Sequence, residues 1–225
     1  MQLSEFLTKN KIEISPEVLE SSAAAVGEMS RSHDVLHDVN HILRLLDILD
    51  QFINWEKDIR PRINFDILIL ALLWHDIWKA KIKVKSTFGL IWAFLWDGHG
   101  SARIFTTENK SKIPPDIFKS ALYAIKVHGP SIGNPKTLEA KILKDIDGLD
   151  EWSAERLDAL VKHFLGSKQE SRRMIRLLKL YYNLVLKKQK ANKYYFLWPQ
   201  EEFTRRRDVY LAKIDILLKK YENLV

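Results

Sequence analysis

Histidine and aspartate residues recur along this chain in a pattern that could bind a metal ion. The central pair, His75 and Asp76, follows an apolar run that ends at Trp74. Neighbouring helical residues point about 100° apart, so both side chains could reach one ion beyond the helix surface. Burying such a pair without a partner is costly, and taken alone the pair also fits an ordinary hydrogen-bonded ion pair. The further candidates along the chain are His37, His41, His99, His128, Asp145, Asp147 and Asp150.

A lysine accompanies the central pair. Lys79 lies three residues after Asp76 and four after His75, on the same side of the predicted helix. Its ammonium group could hold a phosphate oxygen without binding the ion itself. The chain contains no cysteine, so a metal would be held by imidazole nitrogens and carboxylate oxygens. Such ligands suit Mn²⁺, Fe²⁺, Co²⁺, Ni²⁺ or Zn²⁺.

The elements that must position these residues are predicted to be helices. Apolar residues recur at helical spacing, and N-terminal signals at Ser15-Pro16, Asp38 and Asn64 begin three helices. The third is apolar on nearly every side, which predicts a central, buried helix. Residues 81–85 alternate like a strand and fit either a hairpin arm or a solvated loop. Further helices are predicted at about 98–109, 114–128, 137–147, 153–165, 168–190 and 199–223. The sequence therefore predicts an all-α fold in a single domain.

Charge is unevenly distributed along the 225 residues. The net charge is +7, yet residues 161–225 alone carry 16 Lys and Arg against 6 Asp and Glu, so the preceding residues are mildly acidic. A basic C-terminal region suits an anionic partner, such as a phosphate, a nucleotide, nucleic acid or a membrane surface. The preferred interpretation is the solvated outer face of two amphipathic helices, which could also mediate a homodimer.

The sequence shows no pattern typical of a membrane span or a secretion signal. The longest apolar runs, 67–74 and 88–96, have 8 and 9 residues, whereas a spanning helix needs about 20. The N-terminal residues lack the basic flank and apolar core of a signal peptide. A cytoplasmic location is therefore expected.

The ordered set of histidines and aspartates resembles the HD-domain metal-dependent phosphohydrolase superfamily over about residues 30–165. That superfamily places a histidine, a His-Asp pair, optional further histidines and an aspartate on separate helices of an all-α bundle. The segments 37–44 and 145–150 resemble the first and last motifs of a bacterial nucleotide-hydrolysing branch. Ile146 and Gly148 stand where that branch has alanine and arginine. The matching positions are His41, His75, Asp76, His99, His128 and Asp147.

The resemblance implies a ligand set and a domain plan. His41, His75, Asp76 and Asp147 would hold one ion, with Asp147 rather than Asp145 or Asp150 as the last ligand. A second ion, bridged by Asp76, would use His99 and His128. Those two histidines could instead bind phosphate or orient Asp76. The bundle core would cover about 30–165, and residues 166–225 would form a basic helical extension.

Substrate contacts are assigned to residues around this set. An ion held by such ligands promotes ionisation of water near neutral pH and neutralises phosphoryl charge. Lys79 and Arg44 would take the remaining phosphate charge, Arg44 through its two-pronged guanidinium. His37 is expected on the substrate side or as a capping group, and Trp92 is expected to contact a base or another apolar part of the substrate. Three other tryptophans, Trp55, Trp74 and Trp152, are expected in the core.

Three functions follow, in order of preference. The first is a metal-dependent phosphohydrolase that cleaves a phosphoester or phosphoanhydride bond of a small anionic substrate, such as a nucleotide, with Asp76, Lys79 and Arg44 as catalytic residues. The second is an HD-fold di-iron oxygenase acting on a small molecule. The third is a non-catalytic protein that binds nucleic acid or another partner and contains a structural metal.

Overall fold

The computed structural model describes residues 1–82, 87–129, 134–164 and 168–221, without the side chains of residues 87–95, 163–164, 168–174 and 177. The described residues form α-helices and short 3-10 helices and no β-strand, which confirms the all-α prediction. The chain divides into two compact units, Met1–Asp147 and Gly148–Val225. The interpretation as a single domain with an extension beginning near residue 166 stays a prediction.

The helices of the first unit include all those that carry candidate site residues. They are α1 (Leu3–Asn10), α2 (Pro16–Met29), α3 (Val39–Trp55), α4 (Phe65–Trp74), α5 (Ile77–Lys81), α6 (Thr87–Asn109), α7 (Pro115–Val127) and α8 (Leu138–Asp150), of which α8 continues into the second unit. The second unit then contains α9 (Ala154–Phe164), α10 (Lys168–Leu184) and α11 (Leu197–Lys220). Among the described residues, no helix combines the length and apolar character that crossing a bilayer requires.

Two side-chain caps fix the starts of the helices that bear the central histidines. The Asp38 side chain accepts a hydrogen bond from the backbone N–H of His41 at 3.1 Å. The Asn64 side chain likewise accepts from the N–H of Ile67 at 3.2 Å. Each cap satisfies an N–H group that the first turn of a helix leaves without a partner. The predicted starts of α3 and α4 are therefore confirmed.

Helix α4 is the centre of the first unit, as its all-round apolar sequence predicts. Its residues from Leu68 to Trp74 are buried, and the helix packs against α2 and α7. The Trp74 indole N–H donates to the Ser21 hydroxyl at 3.1 Å, so its polar atom is satisfied inside the core. Burying each large apolar side chain stabilises the fold by about 1.5–3 kcal/mol. The end of α4 is therefore a rigid support for His75 and Asp76.

Several boundaries differ from the sequence-based expectation. Helix α6 begins at Thr87 rather than near residue 98, and α10 ends at Leu184 rather than near residue 190. The short helices α1 and α5 were not predicted. Residue Lys81 of the strand-like segment is the last residue of α5, while residues 83–86 lie outside the described residues. The first part of α6, residues 88–96, is apolar on most sides, so the sequence there lacks the polar–apolar periodicity that would mark where the helix starts.

Two glycines allow α6 to approach its neighbours closely. A Cβ atom at Gly98 would lie 2.4 Å from the carbonyl oxygen of Lys126 on α7. A Cβ atom at Gly100 would lie 2.4 Å from the indole ring of Trp78 on α5. Any larger residue at either position would push the helices apart. These two contacts therefore fix how α6 is rotated about its axis.

The tryptophan predictions hold for two of three residues. Trp74 and Trp152 are both buried, and in the second unit the Trp152 ring lies 5.2 Å from that of Phe203 in an edge-to-face arrangement. Trp55 is 47% exposed, so its assignment to the core is wrong. It is the last residue of α3 and lies beyond the part of that helix that faces the core.

Candidate metal centre

Four side chains from different parts of the first unit converge at its buried centre. His41 lies in the first turn of α3, His75 follows the last residue of α4, Asp76 precedes α5, and Asp147 lies on α8. The first three are buried, and the Asp147 side chain is 21% exposed. We call these four residues the histidine group. Its members could hold a metal ion, since each offers one nitrogen or oxygen atom to a common point.

The spacing of these atoms fits a shared ion. His75 Nε2 lies 3.3 Å from His41 Nε2, 3.3 Å from Asp76 Oδ2 and 3.6 Å from Asp147 Oδ1. His41 Nε2 lies 3.4 Å from Asp76 Oδ2 and 3.7 Å from Asp147 Oδ1. Atoms about 2.1 Å from one ion lie about 3.0–3.4 Å from each other in octahedral or tetrahedral geometry. The donor set therefore matches a divalent ion with nitrogen and oxygen ligands.

Local structure orients His75 for this role. Its Nδ1–H donates to the carbonyl oxygen of Leu72 at 2.8 Å, which leaves Nε2 as the atom that faces the group. Burial alone would lower the pKa of the His75 imidazole. The Asp76 and Asp147 carboxylates outweigh burial and raise this pKa well above its usual value. A divalent ion would therefore compete with a proton for Nε2.

The pKa values of the two carboxylates in the histidine group are shifted in the opposite direction, downward. Burial alone would raise the pKa of both Asp76 and Asp147, because it penalises the charged form. The neighbouring His75, and for Asp76 also Lys79, outweigh burial and hold both pKa values well below the usual range. Both side chains are thus ionised at neutral pH and available as ligands.

A second convergence of side chains shares Asp76. It consists of Asp76, Asp97 and His128, again with one donor atom each at a common point. His128 Nε2 lies 3.1 Å from Asp97 Oδ2 and 3.5 Å from Asp76 Oδ1, and its Nδ1–H donates to the Ile125 carbonyl oxygen at 2.5 Å. Burial works against a charged His128, but Asp97 and Asp76 outweigh it and raise the His128 pKa to about 9.

Lys79 completes this second set, which we call the lysine group: Asp76, Asp97, His128 and Lys79. The Lys79 ammonium donates to Asp76 Oδ1 at 2.9 Å and lies 2.6 Å from Asp97 Oδ2. Both carboxylates are buried, and the Lys79 side chain is 16% exposed. Burial alone would lower the Lys79 pKa, but the two carboxylates raise it above its usual value. Lys79, expected to bind phosphate, is thus paired with two aspartates.

His99 is placed differently from the expectation that it binds a second ion. It is exposed, and its ring lies 5.6 Å from that of Trp96, outside both groups. Two residues along a helix correspond to a rotation of about 200°, so Asp97 and His99 point to opposite sides of α6. Asp97 faces the site instead. Sequence reasoning missed it, although a lone carboxylate directly after the apolar run 88–96 is a signal that could have found it.

His37 lies beside the histidine group rather than within it. Its Nε2 is 3.6 Å from Asp76 Oδ2, and its Nδ1–H donates to Asp34 Oδ2 at 2.7 Å. Asp34 also accepts from the backbone N–H of Leu36 at 2.9 Å, and His37 helps to lower its pKa against the effect of burial. Asp34, three residues before His37, was not singled out from the sequence. It fixes the orientation of His37 toward the site.

Arg44 and Trp92 are the other expected substrate contacts. Arg44 lies one turn after His41 on α3 and is half-buried. The backbone of Trp92 belongs to α6, while its side chain lies outside the described residues. The expected roles of both residues stay predictions.

Comparison with known proteins adds no further assignment. No protein-family model, curated protein or solved structure matches the chain. Support for a function therefore lies in the geometry of the two groups and in the order of the motifs in the sequence.

Proposed function

We propose that this protein is a metal-dependent phosphohydrolase of the HD-domain superfamily, acting on a small phosphorylated substrate such as a nucleotide. The observation that carries the proposal is the histidine group, in which four donor atoms from three parts of the chain lie within 4.8 Å of one another at a buried centre. The Nε2 atom of each histidine lies 3.3–3.7 Å from the other three donor atoms. When bound by such ligands, a divalent ion acts as a Lewis acid toward a phosphoryl group and promotes ionisation of water. Manganese, iron, cobalt, nickel and zinc all suit this donor set.

Residues of this chain would bind the ion, contact the substrate and orient the ligands. His41, His75, Asp76 and Asp147 bind the ion. His37, held by Asp34 through Nδ1, presents Nε2 toward the centre at 3.6 Å from Asp76, where it could contact a bound substrate. Arg44, one turn after His41, is the cation that we expect to bind a phosphate group. Lys79 fixes the orientation of Asp76 through the hydrogen bond to Oδ1.

Substrate class depends on the motif resemblance more than on the geometry. The segments 37–44 and 145–150 support a nucleotide, whereas Gly148 departs from the arginine of the resembling branch. A cytoplasmic location and a freely diffusing small substrate belong to the same proposal.

The two other functions have less support. A di-iron oxygenase needs two ions, and the second convergence of ligands is paired with Lys79. A nucleic-acid-binding protein with a structural metal would explain the basic C-terminal helices, but it gives no role to His37 beside the histidine group.

The test combines metal analysis with a screen for phosphate release. The purified protein is loaded with Mn²⁺, Co²⁺ or Mg²⁺ and incubated with nucleoside mono-, di- and triphosphates. We expect phosphate release with at least one ion, and its loss in Asp147→Asn together with loss of bound metal. Asp145→Asn is the matched control, because this buried carboxylate lies on the same helix outside the histidine group.

Circular dichroism separates folding from chemistry in both variants. If Asp147→Asn folds and retains both bound metal and turnover, the assignment of the histidine group is wrong. If the wild-type protein binds metal but releases phosphate from none of these substrates, the metal centre stands and the phosphohydrolase proposal fails.

A further inference from the structure

We infer that the ammonium group of Lys79 occupies the position of a second metal ion, so that the protein binds one divalent ion per chain. Asp76 then bridges this ion and Lys79, as it would bridge two ions. The inference rests on the proposed role of the histidine group as a metal site. It concerns a different set of contacts, those of the lysine group.

The position of Lys79 within the lysine group is the first argument. Its Nζ contacts Asp76 Oδ1 at 2.9 Å and Asp97 Oδ2 at 2.6 Å, and both carboxylates belong to the convergence that could hold an ion. His128 Nε2 approaches the same two oxygens at 3.5 and 3.1 Å. The ammonium thus occupies the space between the donor atoms that a second ion would need.

An ion and the ammonium cannot share this space. An ion would lie about 2.1 Å from each carboxylate oxygen, and both oxygens are already within hydrogen-bonding distance of Nζ. Two positive charges so close in a site shielded from water repel each other strongly. A second ion could bind only if the Lys79 side chain moved away and gave up both ion pairs.

The two carboxylate oxygens of Asp76 face two different cationic positions, the proposed metal ion and the Lys79 ammonium. Its Oδ2 faces His41 and His75 at 3.4 and 3.3 Å, while Oδ1 accepts from Lys79. One carboxylate therefore balances two positive charges through opposite oxygens. Lys79 holds Asp76 Oδ2 toward the histidine group without a mobile ion that could dissociate. We therefore assign Lys79 as a positioning residue for the metal centre.

Counting the ions bound by the wild-type protein and by Lys79→Met tests this inference. Chelator-treated protein is titrated with Mn²⁺, and bound metal is measured by elemental analysis after gel filtration. We expect one ion per chain in the wild type and two in Lys79→Met, since the uncharged side chain leaves the carboxylates available. Bound Mn²⁺ should give the spectrum of an isolated ion in the wild type and an exchange-coupled pair in Lys79→Met by electron paramagnetic resonance.

Three control variants link the effect to the charge of Lys79. Lys79→Arg keeps the charge and should bind one ion. Lys81→Met removes a nearby lysine that pairs with Glu28 at 3.1 Å, and it should also bind one ion. The double variant Lys79→Met/Asp97→Asn loses a ligand of the second position and should return to one ion.

The outcomes separate this inference from the proposed function. Two ions per wild-type chain overturn the inference, whether or not Lys79→Met folds. One ion in a folded Lys79→Met protein overturns it as well. Failure of the wild-type protein to bind any divalent ion removes the metal centre itself, and with it both proposals.

Discussion

The histidine group and the lysine group share Asp76 but balance its charge in different ways. In the histidine group, Asp76 Oδ2 faces two imidazole nitrogens and lies near a second carboxylate, Asp147, which is a set of donors with affinity for a metal ion. In the lysine group, Oδ1 faces an ammonium group that the chain itself provides. Under the proposed assignments, two similar carboxylate–histidine convergences therefore have different occupants, a metal ion in one and the Lys79 ammonium in the other.

The largest effect is expected when Asp76 is changed, because this removes the carboxylate that both groups share. Asp76→Asn should lower metal affinity by more than about 100-fold, beyond the usual effect of losing a residue that only orients a ligand, and should abolish turnover. Elemental analysis and the phosphate-release assay measure the two effects. Asp116→Asn, an exposed carboxylate in the first turn of α7, is the control. Wild-type metal content in folded Asp76→Asn would contradict the shared role.

Lys79→Met should lower the free energy of unfolding, because it removes the ammonium group from the lysine group. The variant leaves the buried Asp76 and Asp97 carboxylates with one cationic partner fewer, beside His128, and should cost up to about 3–5 kcal/mol of unfolding free energy. Urea denaturation in the presence of a chelator measures this loss, and saturating Mn²⁺ should restore part of it as an ion binds. Lys81→Met, which breaks a more exposed pair, should cost less than about 1 kcal/mol. Equal losses for the two variants would argue against a special role for Lys79.

Asp34→Asn should affect turnover without changing metal content. The variant weakens the hydrogen bond that orients His37, so we expect about a 10-fold decrease in kcat, at the lower end of effects seen for orienting residues. Bound metal should stay at the wild-type amount, because the Asp34 side chain is hydrogen-bonded to His37 and to the backbone N–H of Leu36 and does not belong to the histidine group. A parallel loss of metal would place His37 among the ligands instead.

An effect is also expected in the pH dependence of stability, through His128. The pKa of His128 is raised from 6.5 to about 9 in the folded protein. The stabilisation that its charge provides is therefore complete below about pH 6.5 and disappears as the pH rises through about 9. The difference in unfolding free energy between the wild type and His128→Gln should narrow over this range in urea titrations. His99→Gln, at an exposed position, should match the wild type throughout, and a difference that widens with pH would contradict the assignment.

Much of the candidate site was accessible to sequence reasoning because its signals are local. Asp38 and Asn64 cap their helices through side chains that reach N–H groups only three residues away. His75 and Asp76 are adjacent in the sequence, so the contacts that position one of these side chains also place the other close to it. His41 and Asp147, identified from the order of the motifs, lie with them in the histidine group.

The lysine group was less predictable because it depends on the rotation of α6. An apolar helix has no polar face in its sequence that would show which residues point inward. The rotation is fixed by contacts of Gly98 with the backbone of α7 and of Gly100 with Trp78. These contacts direct Asp97 toward the site and His99 toward solvent, whereas the sequence-based expectation named only His99 as a possible ligand.

The sequence by itself determined that the chain is helical, that α4 is a central, buried helix of the first unit, and that histidines and carboxylates without thiolates are the potential ligands. Caps, apolar periodicity and residue types act over a few residues, so they can be recognised along a single chain. Only the tertiary structure decided which carboxylate completes the second convergence and that Lys79 lies within it. Those contacts join α5, α6 and α7, and they follow from how closely packed backbones set the orientation of each helix.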